Sequence, residues 1–255
     1  MSDQSAIETH RGRSYIVFGG TGGIGSEVAR SLAGAGAQVM ITGRDQAKLA
    51  SLGKECGCLS RELSVEDKGS IDETVGDAID RFGKLDGVVN CIGSLYLKPA
   101  HLTGDKDWDS ILETNLTSSF NVVRAAVGGM MRGGGSIVLL SSAAARVGIP
   151  SHEAIAAAKA GVIGLCLSAS ASYARRGIRV NCVAPGMVRT QMTHQICMNE
   201  ASRHASESMH ALGRLGEPED VAGAICWLLS NQSGWVTGQV IGVDGGLANV
   251  RSKTH

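Results

Sequence analysis

The sequence predicts one α/β domain built on a doubly wound parallel sheet with helices on both faces. Three observations lead there. Short apolar runs alternate with helix-length segments along nearly the whole chain. The runs are continuously apolar, the pattern of strands covered on both faces. No linker, internal repeat or low-complexity block divides the 255 residues, an ordinary length for a single domain of this class.

The expected strands are Ser14–Phe18, Gln38–Thr42, Gly87–Cys91, Ser136–Leu140, Arg179–Val183 and Val240–Val243. Between them lie expected helices at Ser26–Ala35, Ser70–Phe82, Asp107–Met131, Glu153–Ala174 and Pro218–Leu229. The domain covers 12–248, with tails at 1–11 and 249–255. Met1–Arg13 carries Asp3 and Glu8 and lacks an apolar core, so it reads as a tail and not a signal peptide. The longest irregular stretch, Gly186–Gly216, includes a polar, helix-capable segment at Thr193–Met209. It follows the C-terminal end of a strand, where open α/β sheets bind ligands, so it is placed as a substrate lid; the alternative is a surface loop.

Composition narrows the partners. Lys and Arg number 24 and so do Asp and Glu, for a net charge of +0. That balance lacks the basic footprint of a nucleic-acid or anionic-membrane binder. No run of 18 apolar residues marks a membrane span. Seven scattered cysteines without a CxxC pair fit neither a zinc site nor a disulfide framework, and point to a reducing, cytoplasmic setting. No metal is expected. Glycine is abundant, 35 residues or about twice the usual share.

The first strand runs directly into Gly19-Gly20-Thr21-Gly22-Gly23-Ile24-Gly25, and a helix follows. Glycines in such a loop permit a tight turn and close backbone approach to a pyrophosphate, with the helix N-terminus adding positive potential. The loop satisfies GxGxxG, GxxGxxG and GxxxGxG at once; its strand–loop–helix context favours a dinucleotide, in a Rossmann-type arrangement, over a purely structural turn. The second strand ends Ile41-Thr42-Gly43-Arg44-Asp45. An acid at this tip would select NAD through the ribose hydroxyl. Arg44 could instead pair with a 2′-phosphate, which favours NADP and leaves NAD possible, the alternative being a solvated charge at a helix start. Asp45 could engage either Arg44 or the ribose.

Further segments follow in order: Asn90-Cys91-Ile92-Gly93, Asn115-Leu116-Thr117, Ser141-Ser142, Lys159-Ala160-Gly161, Gly177-Ile178-Arg179-Val180-Asn181, Pro185-Gly186-Met187-Val188-Arg189-Thr190 and Val243-Asp244-Gly245-Gly246. Together they resemble the short-chain dehydrogenase/reductase family over about Gly12 to Ala248, and the resemblance resolves the loop as GxxxGxG, with Phe18 where the family usually has threonine. It implies an NADP-linked oxidoreductase acting on the carbonyl or alcohol of a small organic substrate. Ser142 would then bond the substrate oxygen, Lys159 the nicotinamide ribose, and Asn115 a relay water. Gly19, Thr21, Gly22, Gly23, Ile24 and Gly25 would meet the diphosphate, Arg44 the 2′-phosphate, and Ser64 and Val65 the adenine. Asn90 and Gly93 would line the cofactor, and Val188 with Thr190 its carboxamide. Ser64 stands where an aspartate is usual. A homo-oligomer, tetramer or dimer, is implied through the two long helices and the C-terminal segment.

The family's acid is a tyrosine four residues before the lysine and thirteen after the serine; both counts fall on Ile155. Isoleucine can neither give nor take a proton. Of the three tyrosines, Tyr15 precedes the loop, Tyr173 lies about 21 Å beyond Lys159 along one helix, and Tyr96 could overhang the cleft or pack in its loop. His152 and Glu153 are the favoured replacements, because an unperturbed imidazole titrates near ~6.5 and Glu153 could tune it or act as a base. The plainer reading makes Ser151 an N-cap and the following residues first-turn chemistry. Two other function classes stand beside the oxidoreductase: a non-catalytic nucleotide-binding homologue, and a non-redox lyase or isomerase.

Overall fold

The computed structural model describes residues 9–67 and 69–251. Seven strands form one parallel sheet in the order β3-β2-β1-β4-β5-β6-β7, with β1 Ser14–Phe18, β2 Gln38–Gly43, β3 Leu59–Glu62, β4 Gly87–Asn90, β5 Gly135–Leu140, β6 Ile178–Pro185 and β7 Val240–Val243. The order grows outward from β1 in both directions. The crevice where it reverses, at the C-terminal ends of β1 and β4, is where such sheets hold ligands. Register aligns those ends: Phe18 pairs with Asn90, and Asn90 with Leu139.

The helices are α1 Gly23–Gly34, α2 Gln46–Cys56, α3 Ser70–Phe82, α4 Asp105–Leu112, α5 Ser118–Met130, α6 Glu153–Tyr173, α7 His194–Met198, α8 Glu200–Met209 and α9 Pro218–Leu229. Two apolar clusters cover the two faces of the sheet. One joins Ile16, Val88, Ile137 and Val180 to α3, α5 and α6; the other joins Val17, Val89, Val138 and Val183 to α1, α2 and α9. By length and composition Glu153–Arg176 could cross a membrane, with a mean hydropathy of 1.6. Here it is a core helix, placing Val162, Cys166 and Ala169 in the cluster that contains Val180 and Cys182 of β6.

Four differences from the sequence expectations have physical causes. Strand β3 was not expected: it is the sheet edge, its LSRE side chains alternating between half-buried and exposed. Helix α2 was not among the expected ranges. Only Leu49 and Leu52 are buried, and the helix depends on its ends, with Asp45 accepting from the Lys48 N–H at 3.0 Å and Gly57 at φ +68° closing it. The single helix expected at Asp107–Met131 is α4 and α5 joined by a π-helical turn, Glu113–Thr117. The N-terminal tail was expected through Arg11, and its described residues 9–11 are helix and turn. His10 is buried, its Nδ1 2.8 Å from the Tyr15 hydroxyl. The remainder, 1–8, and the end of the C-terminal tail, 252–255, lie outside the described residues.

Candidate active site

The site starts from the glycine loop. Gly19 adopts φ +71°, and a Cβ there would lie 2.8 Å from the Cys91 carbonyl carbon. A Cβ on Gly25 would collide with the Gly19 carbonyl oxygen. These two contacts let α1 begin directly over the ends of β1 and β4. No side chain caps α1, whose N-cap residue is Gly22, so the first-turn N–H groups remain available for an anion. Thr21 packs on Gly43, where a Cβ would come within 2.5 Å of its hydroxyl. At the tip of β2, Arg44 is exposed and has no hydrogen-bond or ion-pair partner among the described residues. Asp45 engages Lys48 instead of Arg44, through the cap bond and an ion pair of 3.7 Å.

Behind the loop, a cavity of about 460 Å³ opens at the C-terminal ends of β4, β5 and β6. Of the residues singled out from sequence, Gly22, Gly23, Ile24, Gly25, Gly93, Asn115, Ser142, His152, Lys159, Val188 and Thr190 line it. Gly19, Thr21, Arg44, Ser64, Val65 and Asn90 do not. Arg44, Ser64 and Val65 follow β2 and β3, on the other side of the glycine loop. Asn90 is spent on scaffolding: Nδ2 donates to Ser119 Oγ at 3.0 Å and Oδ1 accepts from the Ile92 N–H at 3.1 Å. Glu153 is exposed and lies outside the cavity lining.

Lys159 is 7% exposed, and burial pushes its pKa down to about 8. Its Nζ donates to the Leu140 carbonyl at 3.0 Å. An ammonium has three donors, so two remain for a ligand that enters the cavity. A Cβ on Gly93 would sit 3.5 Å from Nζ and 3.1 Å from Asn115 Oδ1; glycine keeps that approach open. The helix bearing Lys159 is pinned to β5 by Ser141 Oγ, which donates to the Lys159 carbonyl at 2.8 Å. Asn115 is fully buried within the π turn. Its amide donates to Ser94 Oγ at 2.9 Å and to the Ile111 carbonyl at 3.0 Å, and accepts from the Ser94 N–H at 3.1 Å. Ser142 Oγ accepts from the Ala144 N–H at 3.1 Å, leaving its O–H free to donate.

Ile155 lines the cavity one helical turn from Lys159. It packs in an apolar cluster with Ile111, Ala154 and Ala158, against which Tyr96, Leu112 and Leu116 lie. Tyr96 therefore backs the wall without reaching the cavity, and its hydroxyl donates to Asp107 Oδ2 at 2.8 Å. Neither Tyr15 nor Tyr173 lines the cavity. His152 does. Its Nδ1 lies 2.8 Å from the Pro150 carbonyl; a carbonyl only accepts, so Nδ1 carries a proton and Nε2 is the exchangeable atom. The cap expected at Ser151 is not there. His152 is the N-cap residue and makes no side-chain cap bond, and Ser151 adopts φ +63°.

The segment expected as a lid borders the cavity, with Met192, Ile196, Ser202, Ser206, Met209 and His210 among the lining. It is two short helices, α7 and α8, where one segment was expected. Thr193 ties its start, donating to the Val188 carbonyl at 2.6 Å and accepting from the Thr190 N–H at 3.0 Å. Sequence reasoning did not name Ser94, Leu95 or Leu97, and gave Met187, Thr193 and Met209 no role of their own in the lining. They follow no spacing, and only the folded chain collects them.

Residues 19–248 match the family model described as enoyl-(acyl carrier protein) reductase. The 3-oxoacyl-[acyl-carrier-protein] reductase FabG of Thermotoga maritima is 38% identical over 242 residues, covering 92% of this chain and 98% of that protein. Its Vibrio cholerae counterpart is 34% identical over 239 residues, with coverage of 92% and 97%. Among solved structures, a short-chain type dehydrogenase/reductase from Mycobacterium ulcerans superposes with a TM-score of 0.90 at 33% identity, covering 96% of this chain and 92% of that one. A putative gluconate dehydrogenase from Agrobacterium tumefaciens gives a TM-score of 0.91 at 30% identity, covering 96% and 99%.

Proposed function

The chain belongs to the short-chain dehydrogenase/reductase family of NAD(P)-dependent oxidoreductases, and from that premise we propose that it reduces an uncharged carbonyl on an apolar chain with NADPH, using His152 as proton donor. The observation that carries this reading is the cavity wall itself: Ser142, Lys159 and His152 line the same cavity as Ile155.

The residues present fit the dinucleotide. The glycine loop leaves α1 uncapped for the diphosphate, and buried Lys159 has donors left for a ribose. Val188 and Thr190 would meet its carboxamide, and Ser64 and Val65, which follow β3, its adenine. When bound, the cofactor supplies the hydride. Arg44 favours the 2′-phosphate form, since the tip of β2 offers no carboxylate free for a ribose: Gly43 has no side chain and Asp45 caps α2.

Ser142 holds the substrate oxygen by donating its free O–H. Lys159, cationic below about pH 8, stabilises negative charge developing there. Protonated His152 keeps Nδ1–H on Pro150 and releases the proton from Nε2. Asn115, clamped by Ser94, orients the relay, and Glu153, next to His152 in the chain, is the alternative base. Leu95, Leu97, Met187 and Met209 in the lining favour an acyl or similar chain; the relatives named as 3-oxoacyl reductases act on such groups. Scattered thiols fit a cytoplasmic protein. Half-exposed Phe120 on α5 and Leu167 on α6 support a homo-oligomer packed through these helices.

The deciding experiment follows NADPH absorbance with a short 3-oxoacyl thioester, comparing wild type with His152→Ala. Positioned acid catalysis is worth ~10²–10⁴, so a loss of that size in kcat with little change in NADPH affinity is expected. Unchanged turnover in His152→Ala removes His152 from the mechanism. Ile155 in the cavity wall favours a second reading, a nucleotide-binding homologue without turnover; tight NADPH binding with no oxidation across a broad carbonyl panel would establish it.

A further inference from the structure

His210 closes the lid segment, directly after α8, and it is 3% exposed. Both ring nitrogens are engaged. Nδ1 lies 2.6 Å from the Ser206 carbonyl, and Nε2 lies 3.1 Å from the Met187 main-chain nitrogen. A main-chain N–H only donates and a carbonyl only accepts, so the ring is neutral, protonated on Nδ1, and accepts through Nε2. It therefore bridges the last turn of the lid helix to the segment leaving β6. The fit is close: a Cβ on Gly186 would come 2.6 Å from Nε2, and one on Gly245 3.4 Å from the His210 Cβ. On the far side of this wall is a second hollow of about 440 Å³, bordered by Arg214, Asp220 and Asp244.

The bridged segment continues into the cavity lining. Its later residues are held by other means: the Arg189 N–H donates to the Gly216 carbonyl at 2.8 Å, the Gly216 N–H to the Met187 carbonyl at 2.9 Å, and Thr193 ties Val188 and Thr190. The Met187 N–H has no acceptor other than His210 among the described residues. We infer that His210 is a positioning residue: by accepting the Met187 N–H it sets where the Met187–Thr190 segment meets the cofactor. The inference rests on the NADP(H) reading above, with Val188 and Thr190 on the carboxamide. It assigns a role in binding and not in proton transfer, since both nitrogens are already committed.

The test compares the full-length wild type with His210→Leu, His210→Gln and His210→Asn. Leucine fills the space without an acceptor. Glutamine's amide can still accept from Met187, whereas the shorter asparagine keeps only the donor to Ser206. NADPH affinity is measured by fluorescence titration, KM and kcat with a 3-oxoacyl thioester, and folding by thermal unfolding. Losing one buried hydrogen bond is expected to raise the NADPH Kd and KM roughly tenfold in His210→Leu. The kcat should stay within about threefold, with most of the affinity restored in His210→Gln. If the leucine variant does not fold, the comparison of asparagine (impaired) with glutamine (restored) decides. A leucine or asparagine variant with wild-type NADPH affinity overturns the inference, as does equal impairment in all folded variants. Wild type that binds neither NADPH nor NADH overturns the cofactor reading and this inference with it; wild type that binds NADPH keeps the two failures apart.

Discussion

Position 155 is where the chain's apolar packing and its chemistry meet. Ile155 belongs to a small cluster with Ile111, Ala154 and Ala158, and Tyr96 seals its outer side. A phenol placed there would share a helix face with Lys159, one turn away. Ile155→Tyr is therefore expected to raise kcat, by about 10² if a phenol assisted by Lys159 outperforms His152; overpacking should cost about 1–3 kcal/mol of stability. Turnover and Tm measured side by side separate the two effects. Lys159 sets the alkaline limb. Burial lowers its pKa to about 8, so its charge is present below that pH and lost above it. NADPH affinity and turnover should fall as pH rises through about 8. Its contribution to folding has the opposite sign. Between about 8 and 10.5 the unfolded chain holds the proton that the folded chain has released, so stability gains with pH across that window. Much of this was legible in the sequence, because Ile155 is reached by counting from Ser142 and from Lys159. His210 was not. A lone histidine in a polar lid carries no spacing, and its role depends on a Met187 N–H that the fold brings 3.1 Å away.

Among the strands, those with apolar sequences were readable, the edge strand β7 (VIGV) included, and the half-polar one was missed. β1 is buried at every position and stands out as SYIVF. β3 lies at the edge with a half-polar LSRE, so its pairing to β2, and not its own composition, makes it a strand. The long helix before β5 reads as continuous because a π turn keeps the apolar faces of α4 and α5; its inserted turn, Glu113–Thr117, is visible only in the hydrogen bonding. The same turn holds Asn115, whose carbonyl accepts from Ser119 Oγ at 3.0 Å. The lid depends on local bonds in the same way. Thr193→Val keeps the shape and removes the hydroxyl that serves the Val188 carbonyl and the Thr190 N–H. Leaving these buried groups without partners should cost about 1–3 kcal/mol. Limited proteolysis should then cut within Thr193–Met209 faster than in wild type, and an unchanged cleavage rate would show that the lid is held elsewhere.

For the whole molecule, the two apolar clusters hold the sheet, and the N-terminal residues join one of them through Tyr15. His10 is bonded to the Tyr15 hydroxyl, and burial together with Arg13 lowers its pKa to about 4. The unfolded chain takes up a proton near 6.5 that the folded chain refuses until about 4. Stability from this group is therefore present above about 6.5 and lost as pH falls toward about 4. Urea unfolding at several pH values should show this acid slope, and His10→Gln should flatten it. Assembly is tested on the same scale. Leu167→Glu, at a half-exposed position on α6, should lower the mass seen by light scattering, whereas a monomeric wild type would refute the proposed packing.

The cluster around Ile155 has one more consequence. It shares no member with the glycine loop, with Arg44 or with the Met187–Thr190 segment. Apart from Lys159, nucleotide capture and proton supply as proposed thus draw on different residues of one scaffold. A lineage could lose, replace or regain its acid at that wall while its grip on the dinucleotide stayed intact, so a protein of this construction can change its chemistry without first surrendering its cofactor.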